Sequence, residues 1–253
     1  MQIRFLGTGT STGVPEVGCT CPVCTSKDKR DQRLRASVMI RTQGKNILID
    51  CGPDFRYQML QTTYEPIEGV LLTHEHYDHV GGIDDLRPFC RFGDIEIYAE
   101  DYVADAIMRR IPYCFSEFKY PGIPSLILNR IANSPFFLGN LEIVPVRVMH
   151  ARLPIFGYRI GRMAYLTDMK TLPEEEYSKL IGLDTLIINA LRKEEHLSHQ
   201  NVEQALKLAE KIGAKKTYLT HMSHHFGLHA DMERLMPEGV FIAYDGLEIS
   251  IED

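Results

Sequence analysis

The feature that most constrains this chain is the hexapeptide at residues 74–79, which reads His-Glu-His-Tyr-Asp-His. Three imidazoles and a carboxylate within six residues are hard to explain as packing, and together they suit borderline divalent ions such as zinc and manganese. The apolar run at residues 70–73 predicts a buried strand just before it. The hexapeptide then lies at the carboxyl end of a strand, where α/β sheets place their ligand sites. The sequence therefore predicts a metalloenzyme.

Four other apolar runs each end in a residue that can bind a metal ion. These residues are Asp50, His150, Asp168 and His221. Any one of them alone fits a structural role equally well. The same pattern at four strand ends is harder to explain by packing, and a dinuclear site needs more ligands than the hexapeptide supplies.

Half of the six cysteines lie close together, at Cys19, Cys21 and Cys24. The sequence shows no export signal, so thiolate–metal chemistry is a better interpretation than disulfides. A Cys3His set is a standard closed zinc site, and spacing from His221 favours His224 over His225 as the fourth ligand. A buried thiol cluster without metal is the alternative.

The composition is that of an ordinary globular enzyme, with 44% hydrophobic and 25% charged residues. The net charge is −6 (28 basic against 34 acidic residues) and no basic tract stands out, so we expect no stable nucleic-acid partner. No apolar stretch reaches the ~18 residues of a membrane span. We expect one domain over residues 1–253, with a zinc-binding loop around 19–24, and a cytoplasmic protein. A homodimer is compatible with the sequence.

Strand signals alternate with helical ones along the chain. An amphipathic helix that ends at Gly213 is the clearest signal. We predict strands at 2–6, 144–149, 163–167, 217–220 and 241–243, a hairpin at 37–42 and 46–50, helices at 102–110, 173–180 and 201–212, and irregular structure over 120–139.

The hexapeptide resembles the HxHxDH signature of the metallo-β-lactamase superfamily, and the later His150, Asp168 and His221 follow in that family's order. The resemblance implies an α/β fold, a four-layer αββα sandwich of two mixed β-sheets flanked by helices. It also implies two divalent ions, zinc or manganese. One would be held by His74, His76 and His150, the other by Asp78, His79 and His221, with Asp168 bridging them.

The cysteine cluster narrows the resemblance. The chain is similar to the phosphoribosyl cyclic phosphodiesterases of the bacterial carbon–phosphorus lyase pathway, which carry a separate structural zinc on three cysteines and a histidine. This similarity implies a structural zinc on Cys19, Cys21, Cys24 and His224, and hydrolysis of a small phosphodiester, cyclic or nucleotide-like. The alternatives are a nuclease related to tRNase Z, although no basic insertion for gripping tRNA is evident, and a lactonase or thioesterase of the same fold.

Catalysis would follow from the two ions, which lower the pKa of a bound water and neutralise charge on phosphoryl oxygens. Asp168 and Asp78 would act through them, and Asp50 would orient a metal-binding histidine. In phosphodiesterases of this superfamily, a histidine before a helix contacts the phosphate and can act as general acid. We expect His196 in this role, with His199 as the alternative and Ser198 as the N-cap of the helix.

Overall fold

The computed structural model describes residues 1–116 and 120–252. Its centre is formed by two seven-stranded β-sheets. The first sheet contains β1 (Gln2–Gly7), β2 (Ser37–Thr42), β3 (Lys45–Ile49), β4 (Gly69–Leu71), β5 (Ile95–Glu100), β6 (Leu126–Ile131) and the last strand, β14 (Glu248–Ser250). The second sheet contains β7 (Phe136–Leu138), β8 (Leu141–His150), β9 (Leu153–Ile160), β10 (Met163–Leu166), β11 (Thr185–Asn189), β12 (Lys216–Thr220) and β13 (Val240–Ile242).

Both sheets are mixed. The first has the order β14-β1-β2-β3-β4-β5-β6, antiparallel from β14 to β3 and parallel from β3 to β6. The second has the order β13-β12-β11-β10-β9-β8-β7, parallel from β13 to β10 and antiparallel from there on. The carboxyl ends of β4, β8, β10, β11 and β12 carry the residues described in the next section.

The helices lie outside the two sheets. They are α1 (Phe55–Met59), α2 (Tyr77–Val80), α3 (Asp101–Arg110), α4 (Val202–Ile212) and α5 (His229–Glu233). Five 3-10 segments join them, at Lys29–Asp31, Ile83–Phe92, Pro112–Phe115, Glu174–Leu180 and His224–Phe226. No helix within residues 1–116 and 120–252 is long and apolar enough to cross a membrane.

Three apolar clusters hold these layers together. The central one fills the space between the sheets, with Phe5 and Ile40 from the first facing Tyr158 and Tyr165 from the second. A second cluster joins α1, α2 and α3 to the outer face of the first sheet, and a third joins α4 and α5 to the second sheet. Each sheet therefore buries both faces, and the predicted αββα sandwich is confirmed.

The structure corrects three local predictions. The stretch at 120–139, predicted as irregular, contains β6 and β7. The segment predicted as a helix at 173–180 is a 3-10 turn, Glu174–Leu180. Ser198 is not the N-cap of α4: Asn201 is, because its side chain accepts from the Gln204 N–H while the Gln204 side chain accepts from the Asn201 N–H.

Candidate active site

The predicted metal-binding residues meet at one edge of the sandwich, where strands from both sheets end. Three of them sit at sharp turns and have positive φ angles, 62° at Asp50, 52° at Asp168 and 57° at His221. Left-handed backbone is uncommon for residues other than glycine and persists only where the surroundings enforce it. The fold therefore holds these three residues in a strained backbone conformation that places their side chains at the edge of the sandwich.

Four buried side chains form the tightest group, namely Asp78, His79, Asp168 and His221. Their candidate ligand atoms all lie within 4.8 Å of one another. The His79 Nε2 atom is 3.2 Å from Asp78 Oδ2 and 3.2 Å from Asp168 Oδ2, and His221 Nε2 is 3.2 Å from Asp168 Oδ1. Both Nε2 atoms are buried without a well-aligned hydrogen bond. Such orphaned nitrogens facing carboxylates fit ligands of a divalent cation.

Three further histidines, His74, His76 and His150, lie beside this group. The Nε2 atom of His74 is 2.9 Å from Nδ1 of His76, and the centroids of the His74 and His76 rings are 5.7 and 5.2 Å from that of His150. The His74 and His79 rings are 4.2 Å apart, which joins the two groups. The structure thus brings together all seven residues predicted as ligands of the ion pair.

Hydrogen bonds on the far side of the rings decide which nitrogen faces the centre. His79 donates from Nδ1 to Asp50 Oδ2 at 2.6 Å. The Thr73 hydroxyl donates its one proton to the Asp50 carboxylate, both oxygens of which lie within 3.1 Å. The hydroxyl oxygen therefore accepts from His74 Nδ1, at 3.0 Å. Asp50 and Thr73 therefore occupy the Nδ1 atoms of the His79 and His74 rings, so that both Nε2 atoms face the centre. Outer partners orient metal-binding histidines in this way.

The third ring is oriented by main-chain carbonyls. His150 donates from Nδ1 to the Asp168 carbonyl at 2.7 Å and lies 3.1 Å from the Ser198 carbonyl. Next to Asp168, the side-chain amide of Asn189 makes two hydrogen bonds with the main chain of Met169: it accepts from the N–H and donates to the carbonyl. Asn189 is the last residue of β11 and pairs with Thr220, the last residue of β12, just before His221. The strand-end pattern therefore includes Asn189, but the sequence alone did not single it out.

The charges of the tight group are strongly coupled. Burial acts to raise the pKa of Asp168, but the His221 and His79 rings hold it well below its ordinary value. Burial acts to lower the pKa of His79, yet Asp168, Asp78 and Asp50 raise it well above its ordinary value. Three carboxylates around one imidazole therefore favour an added positive charge at this point, which a metal ion supplies more fully than a proton.

His199, rather than His196, contacts this centre. Its Nε2 atom is 3.0 Å from Asp168 Oδ1, and its candidate ligand atom lies within 4.8 Å of those of His150 and Asp168. The side chain of His196 lies one layer further out, with Nδ1 3.1 Å from His199 Nδ1 and 3.3 Å from the Ser198 hydroxyl. Burial lowers the pKa of His199 to about 4, and it also lowers the pKa of His196.

The cysteine cluster forms a second, separate site. Cys19, Cys21 and Cys24 meet His224 with all four ligand atoms within 4.8 Å, and the Sγ atoms of Cys19 and Cys21 are 3.2 and 3.4 Å from His224 Nδ1. Glu16 lies behind the ring, 3.3 Å from His224 Nε2. His225 is exposed and outside the group. Three sulfurs and one imidazole nitrogen are a donor set that zinc prefers.

The thiols of this second site differ in acidity. The Cys24 backbone N–H donates to Cys21 and outweighs burial, lowering the pKa of Cys21 to about 6. Burial raises the pKa of Cys24 to about 11. One thiolate is thus available near neutral pH before any cation is bound.

Comparison with known proteins shows the family and the fold of the chain. A family model described as a Beta-lactamase superfamily domain matches residues 45–222. The crystal structure of a new diphosphatase from the PhnP family superposes with a TM-score of 0.92 at 38% identity, covering 99% of this chain and 98% of that one. Human short-form tRNase Z superposes with a TM-score of 0.74 at 24% identity, with both chains fully covered, which shows a shared fold.

One curated relative is longer. The chain is 48% identical over its whole length to an octanoyltransferase of Porphyromonas gingivalis. It spans about half of that protein, 52% of its length. The name octanoyltransferase describes the longer protein as a whole.

Proposed function

The chain belongs to the metallo-β-lactamase superfamily and is a metal-dependent hydrolase of that fold; from that premise, we propose that it hydrolyses small phosphodiesters, cyclic or nucleotide-like. The observation that carries the proposal is the buried histidine–carboxylate centre, in a chain similar over nearly its whole length to a PhnP-family diphosphatase. Paired divalent ions are a common solution to phosphoryl hydrolysis because they stabilise both the attacking and the leaving oxygen.

In this proposal, the metal ligands divide into two sets that share one residue. His74, His76 and His150 would hold one ion, Asp78, His79 and His221 would hold the other, and Asp168 would contribute to both sets. When bound, the ions lower the pKa of water and neutralise charge on the phosphoryl oxygens. Imidazole and carboxylate ligands suit zinc or manganese. A third ion, a structural zinc, belongs to Cys19, Cys21, Cys24 and His224.

The proton for the leaving group comes from the loop before α4. We assign this role to His199 instead of His196, because His199 alone of the two contacts Asp168. Burial lowers the pKa of His199, but the Asp168 carboxylate acts in the opposite direction and favours the protonated ring that a proton donor needs. Asp168 Oδ1 orients Nε2 of His199 from one side, while the Ser198 hydroxyl and His196 lie 3.0 and 3.1 Å from its Nδ1. His196 then acts by holding the ring of His199 in place.

A phosphoanhydride is the second candidate substrate, favoured by the similarity to a diphosphatase. Its chemistry needs the same ions and the same charge neutralisation, but the leaving group is a phosphate that requires less protonation. RNA processing and ester hydrolysis have weaker support, since the similarity to tRNase Z at 24% identity is one of fold. A cytoplasmic location, a homodimer and the absence of a stable nucleic-acid partner remain predictions.

A substrate panel tests the proposal. Protein loaded with zinc or with manganese is assayed on ribose cyclic phosphates, bis(p-nitrophenyl) phosphate, a dinucleoside diphosphate, a lactone, a thioester and a precursor tRNA. We expect the highest kcat/KM on a small phosphodiester, with Asp168→Ala as the inactive control. Preference for the dinucleoside diphosphate would select the second candidate, and turnover of the lactone or thioester alone would refute both.

A further inference from the structure

His221 is held in its left-handed conformation by contacts of the following residue. The N–H of Met222 donates to the Thr8 carbonyl at 2.9 Å, and its carbonyl accepts from the Thr10 N–H at 3.1 Å. The glycine-rich turn after β1 therefore pairs with the chain right after a proposed metal ligand. A strained residue keeps its conformation only if such neighbours are themselves fixed.

Thr8 is fixed by its side chain. This residue is fully buried, and its hydroxyl donates to Asp245 Oδ1 and accepts from Arg33 Nη1, both at 2.8 Å. The second oxygen of Asp245 accepts from the Leu34 N–H at 2.7 Å, so the carboxylate joins the turn to the neighbouring segment. A hydroxyl used both as donor and as acceptor has no rotational freedom left.

Arg33 connects this point to two more segments. Its buried guanidinium donates to the Ala243 carbonyl at 2.7 Å and lies 3.3 Å from His229 Nδ1. It is linked to the Asp245 carboxylate through the Thr8 hydroxyl. A buried cation without an ion-pair partner is costly, and this one is held by neutral acceptors from three separate segments of the chain.

We infer that Thr8, clamped by Arg33 and Asp245, is a positioning residue for the metal centre, acting through Met222 on His221. The inference rests on the proposed role of His221 as a ligand. It gives a role to the glycine-rich turn at residues 7–13, which holds the chain next to a proposed metal ligand. Loss of the Thr8 hydroxyl removes one hydrogen bond from Arg33 and one from Asp245 while the volume of the side chain stays nearly the same.

The test compares Thr8→Val with Thr8→Ser and with Thr185→Val. Valine keeps the shape of threonine without its hydroxyl, serine keeps the hydroxyl, and Thr185 is a buried threonine at the start of β11, away from the site. The readout is the chelator concentration that removes metal from the zinc-loaded protein, followed by elemental analysis. We expect Thr8→Val to retain the two ions roughly 10–100-fold less well, as for other outer partners of metal ligands. In Thr8→Val, the cysteine-bound zinc should be retained as in the unmodified protein. The variants Thr8→Ser and Thr185→Val should retain all of their metal ions as the unmodified protein does.

Two outcomes overturn the inference. One is metal retention by Thr8→Val equal to that of Thr185→Val. The other is equal loss of metal from both sites together with a lower melting temperature, which indicates a general role in folding. Because metal retention is measured without substrate, the result does not depend on which ester or anhydride the enzyme cleaves. Failure of the substrate panel alone would leave this inference intact.

Discussion

The two proposed metal sites of this protein are built in opposite ways. Most residues of the dinuclear site lie at or just after strand ends, and Asp78 and His79 lie in α2. His74, His79, Asp168 and His221 are at most 2% exposed. The three cysteines lie in a segment with no strand or helix between Gly7 and Lys29, and all three are only half-buried. Backbone hydrogen bonds of two sheets thus set the first site, whereas local turns set the second.

The difference predicts which site depends on its metal for shape. In the dinuclear site, outer hydrogen bonds already select the free nitrogen of three histidines, so the fold prepares the site before a metal binds. In the cysteine site, the ligands contact chiefly one another. We therefore expect the binding of zinc to be coupled to the ordering of the loop around residues 19–24. Mutations should therefore separate activity at the first site from stability at the second.

The largest effect is expected for Asp168→Ala. Removing the carboxylate shared by both proposed ion sites should reduce turnover by more than the roughly 10–100-fold typical of outer partners, to the limit of detection. The melting temperature should fall little, since the loss also removes the repulsion between the Asp168 and Asp78 carboxylates. Kinetics and calorimetry on the same preparation measure both quantities. An active variant with greatly lowered stability would reverse the comparison between the sites.

The next largest effect concerns the proton donor. His199→Ala should lose on the order of 10²–10⁴-fold in rate on an alkyl phosphodiester, and much less on bis(p-nitrophenyl) phosphate, because nitrophenolate leaves without protonation. His196→Ala should lose about tenfold or less, since it contacts His199 and not Asp168. Equal losses on both substrates would mean that His199 binds the phosphate. If His196→Ala is nearly inactive and His199→Ala has a normal rate, His196 is the proton donor, as the sequence analysis predicted.

The sequence predicted the metal-binding residues at strand ends but did not distinguish His199 from His196. The strand-end ligands were predictable because an apolar run marks a buried strand and its end marks the sheet edge. The loop between β11 and α4 has no such periodicity, and the resemblance to phosphodiesterases left both His196 and His199 open for the role. Only the packing of that loop against Asp168 distinguishes the two.

The missed strands have a different cause. Residues 120–139 contain three prolines, which indicate irregular structure in a sequence. β6 nevertheless forms because Leu126 and its neighbours pair in parallel with β5 at the edge of the first sheet. Tertiary pairing of this kind overrides local preference. The sandwich itself was predicted through the resemblance and not through the individual elements.

A smaller effect is expected at the cysteine site. Cys21→Ala should lower the metal content from three ions per chain to two, because zinc binding there is coupled to folding. The free energy of unfolding should fall by about 2–3 kcal/mol, the stabilisation expected when free zinc is present at about 100 times its Kd. At roughly 2–4 °C per kcal/mol for a chain of this size, the melting temperature should fall by about 4–12 °C. Rates on the best substrate should stay within a few-fold. A control, Cys114→Ala, removes a buried thiol that packs in the apolar cluster outside the first sheet, away from both sites. Unchanged metal content in Cys21→Ala would refute the third ion.

The smallest effect tests the start of α4 and separates stability from activity within one loop. Asn201 caps the helix, so Asn201→Ala should cost about 0.5–2 kcal/mol of stability. Ser198 is not the cap, and its hydroxyl lies 3.0 Å from Nδ1 of His199. Ser198→Ala should therefore leave the melting temperature nearly unchanged and reduce the rate on alkyl phosphodiesters, where the orientation of His199 matters. If Ser198→Ala instead lowers stability as much as Asn201→Ala does, with unchanged rates, the hydroxyl serves the helix, and the proton-donor assignment loses its support from this loop.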